Sequence, residues 1–194
     1  MYYSATYQSP VGMITIACDG DGENIVGLWL EGQKYFASTV TGQMVECNDM
    51  AVFDAAKDWL NRYFAGQKPA VSELPLAPAG GEFRQEVWRI LCEIPYGEVT
   101  TYGAIARKMA EKMGKKSMSG QAVGGAVGHN PISVIIPCHR VVGSDGSLTG
   151  YAGGIKTKVK LLELEGVDLS GLFVPKKGTA LYSAEVSLPG KNHI

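Results

Sequence analysis

Metal-binding side chains are few and scattered in this chain of 194 residues, which has three histidines, His129, His139 and His193, and four cysteines, Cys18, Cys47, Cys92 and Cys138. No two cysteines stand at the short spacing of a zinc site, so no metal is expected. Nor are disulfides needed in a reducing compartment. Long apolar runs are missing: nothing approaches the roughly 20 residues of a membrane span. Met1-Tyr2-Tyr3-Ser4 also lacks the basic start and apolar stretch of a secretory signal. A cytoplasmic protein with no membrane partner is the expectation. An excess of positive charge is absent too, since the formal net charge is −1. That total argues against a nucleic-acid binder, whose footprint is normally basic. The distribution argues otherwise, because residues 1–81 carry 4 Lys/Arg against 9 Asp/Glu while residues 82–165 carry 11 against 8. Lys108, Lys112, Lys115 and Lys116 form the densest basic group, which reads either as a solvated face or as a binding surface.

An apolar fraction of 45% is ample for the core of one large domain or two small ones. The N-terminal third alternates as antiparallel strands: Tyr3–Gln8, a Ser9-Pro10-Val11-Gly12 turn, Met13–Cys18, an Asp19-Gly20-Asp21-Gly22 turn, and Ile25–Leu30. Val52, Ala56, Trp59, Leu60 and Tyr63 then recur at helical spacing, with Asn48 available as cap and Gly66 as stop. Trp59 and Tyr63 read as core. Pro69, Pro75, Pro78 and Gly80-Gly81 mark an extended, mostly exposed connection, so the domains are expected at 1–79 and 80–170, with a loosely ordered tail at 171–194.

Past that connection, Phe83, Val87, Ile90 and Leu91 form one helical stripe ending before Pro95. Thr100 or Thr101 can cap a second helix running to about Met113. A Gly114–Ser119 turn leads to another helical candidate at Gly120–Gly128. This reads as a helix-turn-helix, with a turn longer than the usual three or four residues or so. Gly124, Gly125 and Gly128 each cost a helix up to about 1 kcal/mol relative to alanine. Such small residues permit close approach, either to a neighbouring helix or to a DNA groove. Ile132–Ile136 reads as a short apolar strand, Gly143–Gly150 as loop continued by the flexible Gly153-Gly154, and Lys156–Glu165 as a closing helix stopped by Gly166.

The segment Ile136-Pro137-Cys138-His139-Arg140-Val141 carries the chemistry, placing a thiol beside an imidazole at a proline-fixed bend. A free thiol is only a few per cent thiolate near neutrality, so a reactive cysteine needs a base or a positive field. Adjacent residues on an extended segment face opposite ways, so a bridging water or a short turn would have to link the pair. Two buried core residues would give the same dipeptide.

Together with Gln-Ala-Val-Gly-Gly-Ala-Val-Gly-His-Asn-Pro at 121–131 and Val-Val-Gly-Ser-Asp-Gly-Ser-Leu-Thr-Gly-Tyr-Ala-Gly-Gly at 141–154, this segment resembles the 6-O-methylguanine-DNA methyltransferases. The likeness covers about Phe83 to Gly166. It implies an α+β protein: an N-terminal antiparallel-sheet, ribonuclease H-like domain, then a mainly helical domain with a helix-turn-helix. It further implies irreversible alkyl transfer from DNA to Cys138, once per molecule, without cofactor and without an obligatory protein partner. His139 would act as base through water, Glu165 would orient it, and Tyr102 would donate a hydrogen toward the guanine ring nitrogen. Asn130 would bridge to the active-site segment, although Asn-Pro is also a common turn. Backbone groups of Cys138, Val141 and Ala152, with Tyr151 alongside, would read a guanine flipped out of the duplex. In the minor groove, Gln121, Ala122, Gly124, Gly125 and Thr101 would contact DNA. Relatives fill the vacated stack with arginine where this chain has Gln121, which brings no cation.

Two rival readings stand beside this one. A cysteine hydrolase would turn over repeatedly. A lesion-binding module similar to alkyltransferase-like proteins would lack the reactive cysteine that is present here.

Overall fold

In the computed structural model, which describes residues 1–176, the alternating apolar positions of the N-terminal third build a four-stranded sheet. Strands β1 (Tyr2–Ser9), β2 (Gly12–Cys18) and β3 (Ile25–Leu30) pair antiparallel, as expected. A fourth strand, β4 (Met44–Glu46), adds parallel to β1, giving the order β3-β2-β1-β4. Ile14 and Ile16 of β2 point into the core shared with helix α1 (Ala51–Phe64), which contributes Val52, Phe53, Ala56 and Leu60. The expected cap of α1 is wrong. Met50 occupies that position with no side-chain bond, because Asn48 turns back to donate to Glu46 Oε1 at 3.3 Å.

The proline-rich connection is mostly exposed, yet it is fastened to the edge of the sheet. Ile25 donates its N–H to Pro75 O, and Ala77 donates back to Ile25 O, both at 2.8 Å. Helix α2 (Glu82–Cys92) follows and ends ahead of Pro95. A two-residue strand β5 (Thr100–Thr101) leads into helix α3 (Tyr102–Lys112), where Thr101 Oγ1 accepts from the Ala104 N–H at 3.1 Å and so settles which threonine caps. Gly114, at φ +62°, ends α3 as expected, and helix α4 (Gly120–Gly128) starts from a Ser119 cap. Despite its glycines α4 forms, because packing outweighs propensity. Val123, Ala126 and Val127 are buried, and Trp88 Nε1 of α2 donates to Ala126 O at 2.9 Å.

Residues 132–136 form a wound turn where a strand was expected. Only Leu28↔Ile132 bridges to the sheet. The Ile135 N–H donates to Ser133 O at 2.8 Å around Val134, which is held at φ +70°, a γ-turn of the strained hand for a β-branched residue. A second, relaxed γ-turn follows at Pro137, with the Cys138 N–H donating to Ile136 O at 2.8 Å. Asn130 compels this path, because its amide donates to Ile136 O and its oxygen accepts from the Ile132 N–H. Side-chain bonds of this kind compete with a strand ladder.

Strand β6 (Val141–Val142) then pairs parallel with β5, setting Thr100 beside Val141. Helix α5 (Ile155–Leu164) closes the chain onto a second apolar cluster that includes Val142, Leu148 and Leu172. The start of the tail is therefore not loose. Leu148 donates to Phe173 O at 2.8 Å, and Leu172 is buried. The rest of the expected tail, 177–194, lies outside the described residues. Among the described residues, no helix is long and apolar enough to cross a membrane.

Candidate active site

Pro137 hands the chain into a single 3-10 turn, Cys138–Arg140, so the thiol stands at the expected bend and not on an extended segment. Cys138 is 5% exposed and His139 fully buried. His139 Nε2 bonds Glu165 Oε2, and its Nδ1 meets no protein partner among the described residues. Glu165 caps the C-terminus of α5 and has every lone pair engaged. Its Oε2 also accepts the Tyr63 hydroxyl at 2.7 Å, while Oε1 accepts Arg140 Nε at 2.7 Å and the Gly97 N–H at 3.1 Å.

These bonds set the protonation states. Burial pushes the Glu165 carboxyl up, but the hydrogen bonds and charges of His139 and Arg140 outweigh it and hold the group at about 2. An ionised Glu165 accepts only, so Nε2 carries the hydrogen and Nδ1 keeps its lone pair. Burial draws the His139 pKa down against the pull of Glu165, which keeps the ring neutral beside the Glu165–Arg140 pair. Burial raises the Cys138 thiol, with Asn130 and Lys158 opposing.

Lys158 is the functional side chain that sequence reading passed over. It is fully buried on α5, where its ammonium donates to Val141 O at 2.5 Å and Thr149 O at 3.0 Å. Burial lowers its pKa to about 8, with Cys138 as the opposing influence. No carboxylate pairs with it among the described residues, so the Cys138 sulfur is the nearby group whose negative charge it would balance. A signal was available: Lys158 falls on the apolar stripe of Ile155, Val159 and Leu162, where a surface lysine does not belong. Tyr63, read from sequence as simple core, is the second such residue.

Tyr102 meets the same carbonyl as Lys158, its hydroxyl donating to Thr149 O at 3.1 Å. Burial, and then Cys138, raise its pKa, so the phenol keeps its hydrogen. Gly150 lies alongside at φ +77°, where an added Cβ would come within 2.9 Å of the Tyr102 oxygen. Tyr151 is buried, its hydroxyl meets no partner among the described residues, and its ring is edge-on to His139 at 6.5 Å between centroids. Of the backbone groups expected to read a base, the Val141 carbonyl accepts from Lys158, that of Cys138 from the Val141 N–H, and that of Ala152 from the Lys34 N–H at 3.0 Å. A carbonyl oxygen has two lone pairs, so one accepted bond does not close it to a ligand.

The residues expected to touch DNA lie on an adjoining face. Gln121, Ala122 and Gly125 are exposed on α4, whereas Gly124 faces the Tyr102 ring. Thr101 is half-buried and its hydroxyl oxygen is occupied in capping. Lys108 and Lys112 pair with Glu93 and Glu86 of the α2 region, while Lys115 and Lys116 stand exposed on the turn before α4.

Comparison with known proteins matches both halves of this arrangement. Residues 1–78 match the 6-O-methylguanine DNA methyltransferase, ribonuclease-like domain, and residues 82–167 match the DNA binding domain of the same name. A methylated-DNA–protein-cysteine methyltransferase of Haemophilus influenzae is 40% identical over 86% of this chain and 87% of its own length. One from Methanosarcina acetivorans is 43% identical over 86% and 99%. Among solved structures, Mycobacterium tuberculosis OGT in complex with DNA superposes with a TM-score of 0.69 at 40% identity, covering 88% of this chain and 94% of that one. With both profiles spanning nearly all of the described residues, the chain belongs to the 6-O-methylguanine DNA methyltransferase family.

Proposed function

We propose that this protein repairs DNA by moving a methyl or small alkyl group from 6-O-alkylguanine onto Cys138, acting once per molecule as a methylated-DNA–[protein]-cysteine S-methyltransferase. The observation that carries the reading is the buried chain from the Cys138 turn through His139 to Glu165, with Lys158 as the uncompensated cation beside the thiol. In this reading the thiol proton passes through a bridging water to His139 Nδ1 while Nε2–H stays bonded to Glu165. The sulfur then attacks the alkyl carbon in line, forming S–C as the bond to the guanine oxygen breaks. The electron pair left on guanine spreads into the ring, where Tyr102 donates its phenolic hydrogen bond to the nitrogen that gains charge. The proton taken from sulfur ends on the departing guanine, so charge balances. The product is a thioether, a poor leaving group, and the protein is spent.

Asn130 serves by holding the 132–136 turn that presents Cys138. Val141, Ala152 and Tyr151 would line the guanine, whose entry needs the 143–152 loop to open, because Cys138 and Tyr151 are covered as the chain stands. Extrusion of the base is expected because the duplex buries the reacting atom. We assign α3 and α4 as a helix-turn-helix that enters the minor groove with Ala122, Gly124 and Gly125 close to the sugar–phosphate walls, Gln121 in the vacated stack and Thr101 at the rim. Residues 80–170 form the working domain and residues 1–79 its support, in a cytoplasmic monomer that needs no cofactor. Cys138→Ser tests the whole reading: it should bind duplex lesions as wild type does and transfer nothing. Repeated turnover by the wild type would instead favour a hydrolase.

A further inference from the structure

Tyr63 belongs to α1, in the part of the chain matched to the ribonuclease-like domain, yet its hydroxyl ends inside the relay. The ring is 1% exposed, stacked on Trp59 at 5.5 Å and edge-on to Tyr96 at 5.7 Å. Phenylalanine would fill that space equally well, so the hydroxyl is surplus to packing. It donates to Glu165 Oε2, the same oxygen that His139 Nε2 uses, and lies 3.5 Å from that nitrogen.

We infer that Tyr63 is a positioning residue for alkyl transfer, reaching from the N-terminal helix to fix the Glu165 oxygen that orients His139 and to weaken that oxygen's hold on the imidazole proton. A carboxylate oxygen that accepts two hydrogen bonds shares its charge between them, so each is weaker than one accepted alone. With Arg140 and Gly97 saturating the other oxygen, Glu165 cannot turn away from the ring. Without the hydroxyl, Oε2 would stabilise the imidazolium more strongly and the ring would hold its proton to higher pH. The titratable and charged groups facing His139 are Glu165 and Lys158 from α5, Arg140 and Cys138 from its own turn, Tyr151 from the loop, and Tyr63. Among these described residues, only Tyr63 comes from the N-terminal half. The fold therefore spends a residue of its supporting half on the reaction itself.

This inference rests on the relay proposed above, in which neutral His139 takes the thiol proton. The test follows single-turnover transfer by the full chain, from a duplex oligonucleotide bearing one 6-O-methylguanine, across mildly acidic to mildly alkaline pH. Tyr63→Phe should move the acid limb of the rate profile up by roughly one pH unit, the scale of one hydrogen bond to a charged group, and leave lesion binding unchanged. Replacing Tyr63 by 2-fluorotyrosine, an isosteric and stronger donor, should move the limb down, which keeps the inference testable should the phenylalanine variant fold poorly. Tyr7→Phe supplies the control, since it removes a hydroxyl bonded to Asn61 Oδ1 at 2.7 Å on the same helix. A uniform loss of rate with the limb unmoved, superimposable profiles, or an equal shift in Tyr7→Phe would overturn the role of Tyr63. A wild-type profile with no acid limb would overturn the relay and this inference with it.

Discussion

Around Glu165 every lone pair is taken, by Tyr63, His139, Arg140 and Gly97, while on the outer face of α4 a side chain starting from Gly125 would meet nothing within 4 Å. The first region is over-determined: removing any one partner leaves a buried charge or donor unpaired, at a cost of about 1–3 kcal/mol or more. The second is left open, and its small residues stabilise nothing by being small. On the proposed reading, chemistry that must occur once, in a fixed geometry, is assembled in advance, whereas the surface assigned to DNA is kept bare. Substitutions in the two regions should therefore fail differently. Those around the thiol should change rate or stability, and those on α4 should change affinity.

The largest effect is expected at Lys158. Lys158→Met keeps the length of the side chain and removes the charge, so the thiol would lose the cation that opposes its upward shift and single-turnover transfer at neutral pH should fall about 10- to 100-fold. The rate should recover as pH rises and hydroxide supplies the thiolate. An unchanged rate at neutral pH would remove Lys158 from the account.

Glu165 gives the next effect, in stability. Its folded pKa of about 2 lies below the ordinary 4.5, so as pH drops the unfolded chain binds the proton first. The stabilisation is fully present above about 4.5 and is lost as pH falls through about 2, on the order of 3 kcal/mol in all. Urea unfolding of wild type against Glu165→Gln isolates this contribution from that of other carboxylates: the difference between them should shrink as pH falls through that window. A constant difference would mean that the carboxylate charge is not what the site relies on.

Much of the frame was readable from sequence because it rests on local signals. The stripes of α2 and α3, the stop at Gly114 and the first three strands follow from spacing and turn chemistry. Strand β4 did not, being three residues long and paired in parallel with a strand some 40 positions away. The 132–136 turn was misread because four apolar residues look like a strand, and only the Asn130 side chain winds them otherwise. The Cys138, His139 and Glu165 cluster was legible through the family resemblance. Tyr63 was read as core because its role lies in a hydrogen bond to a partner elsewhere in the fold, whereas Lys158 was passed over although its place on the apolar stripe of α5 marked it.

On α4 the expected effects are smaller. Gln121→Arg should tighten duplex binding and speed duplex repair by about threefold to tenfold, and a new phosphate contact would steepen the logarithmic salt dependence by roughly 0.9. Single-stranded substrate should gain less, having no vacated stack. Equal gains on both substrates would take Gln121 out of the duplex. Gly125→Ala should raise stability by about 0.5–1 kcal/mol, because alanine suits a helix and the space is open, yet weaken duplex binding by holding the groove away. A thermal gain with unchanged affinity would take Gly125 off the interface and break the contrast between the two regions.

The most direct measurement is intact-mass and peptide-mass analysis after incubation with excess duplex containing 6-O-methylguanine. The account predicts one methyl group per chain, carried on the peptide that contains Cys138, with demethylated guanine formed in equal amount. Methyl on Cys18, Cys47 or Cys92, or more guanine repaired than protein present, would contradict it.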